Sequence, residues 1–163
     1  MLRLSAENAK KLTLSDSQLK ILLGEQKLKP NKHRNTRMYE HENGVTINYK
    51  DEARFGKVVA SFDSIKESNR WAELKMLEKA GQISELKRQV VMIIQEETKY
   101  RGEKIRAISY KADFQYVGPD GITVVEDVKA FDNRTQKYIT TKDFNLKWKL
   151  LKAKYPKVKF IIL

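Results

Sequence analysis

The sequence contains no cysteine and only two histidines, His33 and His41. The first absence excludes disulfide bonds and thiolate metal sites, and the second argues against a histidine-rich zinc site. Any metal must therefore be bound by oxygen ligands. The sequence also lacks an apolar run long enough to span a bilayer and a signal-peptide pattern at its start, which predicts a soluble, cytoplasmic protein without a membrane partner. Glycine-rich phosphate loops, serine nucleophile motifs and zinc-ligand spacings are absent too.

Positive charge dominates the composition. The 163 residues include 33 lysines and arginines against 21 acidic residues, a formal net charge of +12. Such an excess favours polyanionic partners, since basic side chains neutralise phosphates and release their counterions. DNA is the first candidate partner, and an anionic membrane surface is the weaker alternative. The hydrophobic content of 40% is sufficient for one domain of ordinary size.

Two parts of the chain are predicted, residues 1–57 and residues 58–163. The first part contains a short amphipathic helix that ends at Gly24, followed by a basic, proline-containing linker over residues 27–37. Two alternating apolar runs, residues 45–49 and 57–62, predict a peripheral hairpin around the boundary.

The second part has the pattern of an α/β (α+β) domain. Helical periodicity begins near Asp63 and ends at Gly81, and a second helix places aromatic side chains on one face over residues 141–155. Between and after these helices, apolar runs bounded by polar turns predict strands at residues 83–95, 105–117, 122–129 and 158–163. The element order is helix, three antiparallel strands, helix, strand, which predicts a mixed sheet flanked by helices.

Three ionisable side chains lie on the second and third of these strands. Asp113 lies midway along one strand, and Asp127 and Lys129 share a face of the next because side chains repeat every two residues. Carboxylates at one end of a sheet suit Mg²⁺, with Mn²⁺ as a substitute, and a neighbouring lysine can orient water or offset charge on a phosphate. This combination predicts phosphodiester hydrolysis. The simpler alternatives are an exposed strand aspartate and a surface charge pair.

Glu126 competes with Asp127 for the acidic position. Period-two geometry places Glu126 on the face opposite Lys129, so Asp127 is the preferred acid. A β-bulge would exchange the two faces, so Glu126 stays in reserve as the motif acid. It is also a candidate for a side chain that supports the metal ligands.

The order of elements, together with these residues, resembles the PD-(D/E)XK nuclease superfamily, whose core is αβββαβ and restriction-endonuclease-like. More narrowly, four segments are similar to a family of small phage and prophage proteins of that superfamily: Phe62-Asp-Ser-Ile-Lys-Glu67, Trp71-Ala-Glu-Leu-Lys-Met-Leu-Glu-Lys-Ala-Gly81, Ala112-Asp-Phe114 and Val124-Val-Glu-Asp-Val-Lys129. The resemblance implies that Asp113 and Asp127 are metal ligands and that Lys129 is the lysine of the D-x-K motif.

The resemblance adds two residues. Glu67 matches an acid that several branches of the superfamily add on the first helix, which implies a third metal ligand and catalytic residue, although Ser64 to Glu67 also fits a capping box. Gln89, at the start of the first strand, matches a glutamine of the similar family, although a polar residue at a strand edge usually only meets solvent.

Basic residues on and before the second helix are candidates for DNA backbone contacts. The common alternative is a solvated helix face. The candidates are Arg134, Lys137, Lys142, Lys147, Lys149 and Lys152.

The expected function is that of a Mg²⁺-dependent DNA endonuclease that leaves 5′-phosphate and 3′-hydroxyl ends. The resemblance implies branched recombination or replication intermediates such as Holliday junctions, in the cytoplasm of a bacterial host of a phage or prophage. Symmetric cutting of a junction would favour a homodimer. The alternatives are a non-catalytic basic nucleic-acid-binding protein and a degenerate nuclease fold that serves as an interaction module.

Overall fold

The structure, a computed structural model, describes residues 35–163. The chain divides into two compact units, residues 1–36 and 37–163. The predicted N-terminal helix, and the linker as far as residue 34, lie outside the described residues.

The second unit begins with a small antiparallel sheet. Its elements are β1 (Met38–His41), β2 (Thr46–Ile47), a short helix α1 (Glu52–Phe55) and β3 (Val58–Phe62), and the strand order is β2-β1-β3. The predicted hairpin paired the second and third of these strands directly, whereas β1 lies between them and pairs with both. The short, polar β1 has no alternating pattern to reveal it, and its partner β3 lies beyond the predicted boundary at residues 57 and 58.

The remaining residues form a four-stranded mixed sheet with two helices and two small hairpins. In chain order the elements are α2 (Ile65–Lys79), β4 (Ser84–Gln95), β5 (Thr98–Tyr100), β6 (Glu103–Ile105), β7 (Ile108–Val117), β8 (Thr123–Asp127), β9 (Phe131–Asp132), β10 (Lys137–Tyr138), α3 (Lys142–Lys154) and β11 (Lys159–Ile162).

The strand order of the main sheet is β11-β8-β7-β4. Neighbouring strands from β4 to β8 are antiparallel, and β11 is parallel to β8 because α3 carries the chain back across the sheet. The mixed α+β class and the predicted order of helices and strands are therefore confirmed. Between the first two predicted strands, where the sequence pattern predicts only a polar turn, the structure contains the β5–β6 hairpin.

Hydrophobic side chains cover both faces of the sheet. Val124 and Val125 are neighbours on β8 and belong to different clusters, which places α2 and α3 on opposite faces. The α3 cluster contains Met92, Ala112, Val125, Phe144, Trp148 and Leu151. The α2 cluster contains Leu74, Ile83, Phe114, Tyr116 and Val124, with Trp71 packed against it. The apolar face predicted for α3 is confirmed, since Phe144, Trp148 and Leu151 are buried.

Both long helices begin at hydroxyl caps, of which the sequence predicted Ser64. Ser64 Oγ accepts a hydrogen bond from the Glu67 N–H at 3.1 Å, and Thr141 Oγ1 accepts one from the Phe144 N–H at 3.1 Å. Gly81 follows α2 with a φ of 70°, a left-handed conformation that glycine adopts without strain. Among residues 35–163, no helix combines the length and apolar character needed to cross a bilayer.

Two leucines of α3 provide a matched test of this packing. Leu151 is 0% exposed and Leu146 is 59% exposed. We expect Leu151→Ala to lower the free energy of unfolding by about 2–5 kcal/mol, because it leaves a cavity beneath the sheet. Leu146→Ala should change it by less than about 0.5 kcal/mol. Urea denaturation of both variants measures the difference, and equal effects would contradict the assigned helix face.

Candidate functional site

The candidate site lies where β7 and β8 pair. The β7–β8 ladder ends with Phe114 opposite Glu126, and Asp113 and Asp127 are the next residues along the two strands. The structure thus brings the two aspartates together across adjacent strands. Lys129 follows the end of β8, where its backbone N–H donates to the Leu163 carbonyl at 2.8 Å. This bond fixes the backbone that carries the lysine against the C-terminal strand.

Asp127 is buried among aromatic side chains on the α3 face. It is 1% exposed, and the Tyr110 hydroxyl donates to its Oδ1. Its Oδ2 forms an ion pair with Lys129 Nζ. The lysine ammonium also lies 4.7 Å from the centroid of the Phe144 ring. Lys129 therefore supplies the positive charge that a buried carboxylate requires.

Asp113 is half-buried beside this ion pair. Its Oδ2 accepts a hydrogen bond from the Val128 N–H at 2.7 Å. Burial, reinforced by the negative charges of Asp127 and Glu67, raises the pKa of Asp113 to about 7, although the Val128 N–H and Lys129 act in the opposite direction. The coupling shows that the carboxylates act on one another electrostatically.

Glu67 is a helix-capping residue at the edge of this cluster. Its Oε2 accepts a hydrogen bond from the Asp63 N–H at 3.1 Å, next to the Ser64 cap. Burial raises the pKa of Glu67, as do the charges of Asp63 and Asp127, whereas the Asp63 N–H and the Arg88 charge lower it. The Ser64 half of the predicted capping box is therefore present, whereas Glu67 accepts from the Asp63 N–H, one residue before the cap, instead of the Ser64 N–H. The same carboxylate interacts with the two aspartates.

Glu126 has a different environment from Asp127, on the α2 face of the sheet. The Arg70 guanidinium donates to both of its oxygens at 2.8 and 2.7 Å, and the Tyr116 hydroxyl donates to Oε1 at 2.7 Å. Burial and the hydrogen bond to Glu126 raise the pKa of Tyr116 to about 12. No bulge exchanges the faces of β8, so Asp127, and not Glu126, is the acid beside Lys129.

Gln89 lies opposite Asp113 on the edge strand β4. Arg88 pairs with Phe114 and Val90 pairs with Ala112, and Gln89 falls between these pairs. Its side chain is exposed, and its backbone has a φ of 51°. A positive φ is uncommon for a residue other than glycine and costs on the order of 1 kcal/mol. The structure thus places Gln89 beside the candidate acid in a strained conformation.

Arg88 belongs to the same region and was not predicted. Its guanidinium lies 4.2 Å from the Phe62 ring centroid and 5.3 Å from that of Trp71, and it donates to the Ser61 carbonyl at 2.7 Å. Burial lowers the pKa of Arg88, while the charges of Glu67, Glu40 and Asp113 raise it. The sequence offered one signal for Arg88, namely a charged residue near the start of a strand rich in valine and isoleucine.

Tyr110 was also missed, because period two along β7 places it on the face opposite Asp113. Its ring packs against Phe144 and Trp148, and only the folded sheet brings its hydroxyl to Asp127. An aromatic residue with a hydroxyl group near a buried acid is a natural hydrogen-bond donor. Burial and the hydrogen bond to Asp127 raise the pKa of Tyr110, so it remains a donor at neutral pH.

The predicted basic residues occupy two neighbouring elements. Arg134 lies in the β9–β10 turn and Lys137 in β10, while the other four lie on α3: Lys142, Lys147, Lys149 and Lys152. All are exposed except Lys147, which is half-buried and forms an ion pair with Asp143 at 3.3 Å. Lys66 Nζ donates to the Lys129 carbonyl at 3.0 Å and lies 5.4 Å from the Tyr138 ring centroid. These contacts place the β9–β10 hairpin beside the candidate site.

The described residues offer oxygen donors for a cation in a limited arrangement. No group of three histidine, aspartate or glutamate side chains with metal-ligand spacing occurs within residues 35–163. Mg²⁺ commonly uses one or two protein carboxylates together with water and substrate phosphates. Asp113 and Asp127 fit that chemistry as a pair, while an oxygen of Glu67 is already bonded to the backbone.

The pKa of Asp113 predicts how stability depends on pH. Its folded-state pKa of about 7 lies above the ordinary value, so folding favours the protonated carboxyl. In metal-free buffer, the wild-type protein should lose up to about 4 kcal/mol relative to Asp113→Asn as pH rises from about 4 to 7. Urea denaturation at several pH values tests this, and a constant difference would contradict the predicted shift.

The two acidic partners of Arg70 provide a second matched test. Glu126 is buried, whereas the side chain of Glu73 is 56% exposed, and both contact Arg70. We expect Glu126→Gln to lower the free energy of unfolding by about 3 kcal/mol, because it leaves a half-buried guanidinium without its charged partner. Glu73→Gln should cost less than about 1 kcal/mol. Thermal and urea denaturation of both variants compare the two contacts.

Comparisons with known proteins give one match. The model of a family described as "Protein of unknown function (DUF1064)" matches residues 53–163, which include both long helices and the whole main sheet. No curated protein and no solved structure matches the chain significantly. Since the match covers more than half of the sequence, the chain belongs to the family described as Protein of unknown function (DUF1064).

Proposed function

We propose that the protein is a Mg²⁺-dependent DNA endonuclease of the PD-(D/E)XK type. The observation that carries the proposal is the grouping of Asp113, Asp127 and Lys129 at the junction of β7 and β8. The order of α2, β4, β7, β8, α3 and β11 agrees with the αβββαβ core of that superfamily. The net charge of +12 supports a polyanionic substrate.

The carboxylates of Asp113 and Asp127 would hold Mg²⁺, with Mn²⁺ as a substitute. When bound, the ion would polarise the scissile phosphate and lower the pKa of a water. The Val128 N–H orients Asp113, and the Tyr110 hydroxyl orients Asp127. These two hydrogen bonds fix the orientation of each carboxylate and therefore the direction of the lone pairs that remain for a metal ion. A metal site requires such fixed ligand directions.

Lys129 would position the attacking water and offset the charge that grows on the phosphate. Its ammonium is held at Asp127 and above the Phe144 ring, so it is ordered before substrate arrives. A preoriented cation in a site with little water stabilises a developing negative charge more strongly than a solvated one. Glu67 would act mainly through its negative charge, since its Oε2 caps α2.

The substrate would be branched DNA formed during recombination or replication, such as a Holliday junction, in the bacterial host of a phage or prophage. Arg134 and Lys137 next to the site, and the exposed lysines of α3, would contact the phosphate backbone. Two symmetric cuts would require a homodimer. The proposed location is the cytoplasm.

A specific observation favours a second candidate, a basic DNA-binding protein without catalysis. Asp127 is 1% exposed, and Tyr110 and Lys129 occupy its two oxygens. If this ion pair is permanent, the acids stabilise the sheet, and the protein is a binding or interaction module on a nuclease-like fold. Cleavage separates the two candidates.

The decisive experiment incubates the full chain with Mg²⁺ or Mn²⁺ and linear, flapped and four-way DNAs. We expect metal-dependent cleavage that Asp127→Asn and Lys129→Ala reduce by at least about 100-fold, because they remove a ligand and the positioned cation. Asp120→Asn is the matched control. Asp120 accepts from the Ile122 N–H in the β7–β8 turn at 3.0 Å, a bond that asparagine preserves.

A thermal shift measured with the same proteins adds a readout that does not require cleavage. Excess Mg²⁺ should raise the melting temperature of the wild type and of Asp120→Asn, because an ion that binds the folded state stabilises it. It should not raise that of Asp113→Asn, which lacks a proposed metal ligand. Cleavage that survives both site substitutions, or the absence of cleavage for every DNA, would refute the endonuclease proposal.

A further inference from the structure

The β4–β7 hairpin extends far beyond the main sheet. Gln95 pairs with Ile108 at the end of the β4–β7 ladder, and Thr98 pairs with Ile105 in the small hairpin that follows. Both pairs have the same register, so β5 and β6 continue the two strands of the sheet after a short interruption. Residues 95–109 are all exposed. We call residues 96–107 the arm.

The tip of the arm is a tight turn that presents an aromatic ring and a guanidinium. Arg101 and Gly102 have φ values of 49° and 89°, the positive pair that a type I′ turn requires. Tyr100 is 59% exposed, and the Arg101 guanidinium lies 5.5 Å from the centroid of its ring. A large aromatic side chain at the end of a projecting hairpin is free of the core and available to a partner.

One face of the arm concentrates positive charge. Lys99 and Lys104 are directly opposite each other in the ladder, an arrangement of like charges that destabilises a strand pair. Glu97 lies 2.8 Å from Lys104 and offsets part of this repulsion. An isolated two-stranded hairpin is only marginally stable, and this pair weakens it further. A polyanion bound along this face would remove the repulsion.

We infer that the arm is a DNA-binding element whose Tyr100 ring stacks on an unpaired base while Lys99 and Lys104 contact the phosphate backbone. Bases stack on aromatic side chains without regard to sequence, and only an unpaired base exposes its face to a side chain from outside. This inference rests on the proposed function, because it assigns the arm to the recognition of a substrate with single-stranded or branched segments.

The strands that carry the arm also carry the candidate site. Asp113 lies eleven positions after Gly102 along the chain, so the tip lies at most about 37 Å from the acid if the strand is fully extended. One turn of duplex DNA is about 34 Å long. A DNA molecule at the site could therefore reach the tip within about one helical turn, and the arm would sense a branch at that distance from the cut.

The test measures DNA binding by the full chain in metal-free buffer, with fluorescence anisotropy. Two labelled DNAs are compared, a plain duplex and the same duplex with a single-stranded flap. We expect Tyr100→Ala to raise Kd for the flapped DNA by about 5- to 150-fold and to change Kd for the plain duplex by less than about twofold. Tyr100→Phe, which keeps the ring, should match the wild type.

Salt dependence tests the lysines separately. We expect the double variant Lys99→Ala/Lys104→Ala to reduce the slope of log K against log salt by about 1 to 2. Tyr49→Ala is the matched control for the ring, since Tyr49 is exposed in the connection after β2, and Lys79→Ala/Lys157→Ala is the control for exposed charge. Neither control should reproduce the effect of the arm variants.

The two proposals fail in different ways. A protein that binds flapped DNA through Tyr100 but never cleaves it supports the arm and removes the endonuclease. Equal effects of Tyr100→Ala on both DNAs, a salt slope equal to that of the lysine control, or no DNA binding by the wild type would overturn the arm inference, whether or not cleavage occurs.

Discussion

The ion pair between Lys129 and Asp127 is the contact on which the candidate site depends. Asp127 lies beneath the sheet surface, against Tyr110 and near the aromatic core of α3, and Asp113 adds a second acid across the strand pair. Buried carboxylates without a positive partner destabilise a fold by several kcal/mol. The surrounding residues hold the positive partner in place. The carbonyl of Leu163, directly after β11, accepts from the Lys129 N–H, and the Phe144 ring lies against the lysine ammonium.

Much of the fold could be predicted because its elements have simple local signals. Ser64 and Thr141 are caps, Gly81 ends α2, and the aromatic spacing of α3 identifies its buried face. The small sheet could not be predicted in the same way. β1 has four residues, two of them the buried polar Glu40 and His41, and its pairing depends on contacts distant in sequence. The β5–β6 hairpin was missed because all its residues are exposed, so hydrophobic alternation is lacking.

The candidate site likewise contains residues whose roles the sequence could predict and residues whose roles it could not. Period two along β8 separates Glu126 from Asp127, because the two faces of a strand differ in their surroundings and no bulge disturbs the alternation. The choice between a ligand and a cap at Glu67 could not be made from sequence, since both roles use the same carboxylate. Arg88 and Arg70 could not be assigned either. Each acts on an acid far away in the chain, and only the folded sheet brings Arg70 to Glu126 across 56 residues.

The ion pair of Lys129 with Asp127 bears on whether the site is catalytic. The Lys129 ammonium belongs to the same end of β8 as Asp127, so it is always present near that carboxylate at high effective concentration. A dissolved cation must therefore compete with the lysine for Asp127. A divalent ion has twice the charge and gains a second carboxylate from Asp113, whereas the lysine contacts one. In the proposed metal-bound site, the half-buried Asp113 would therefore give a divalent cation its advantage over the lysine. If a cation displaced Lys129, its ammonium would remain within a side-chain length of a bound DNA phosphate, where a phosphodiesterase needs a positive charge. If the ion pair were permanent, the acids and the lysine would only stabilise the edge of the sheet.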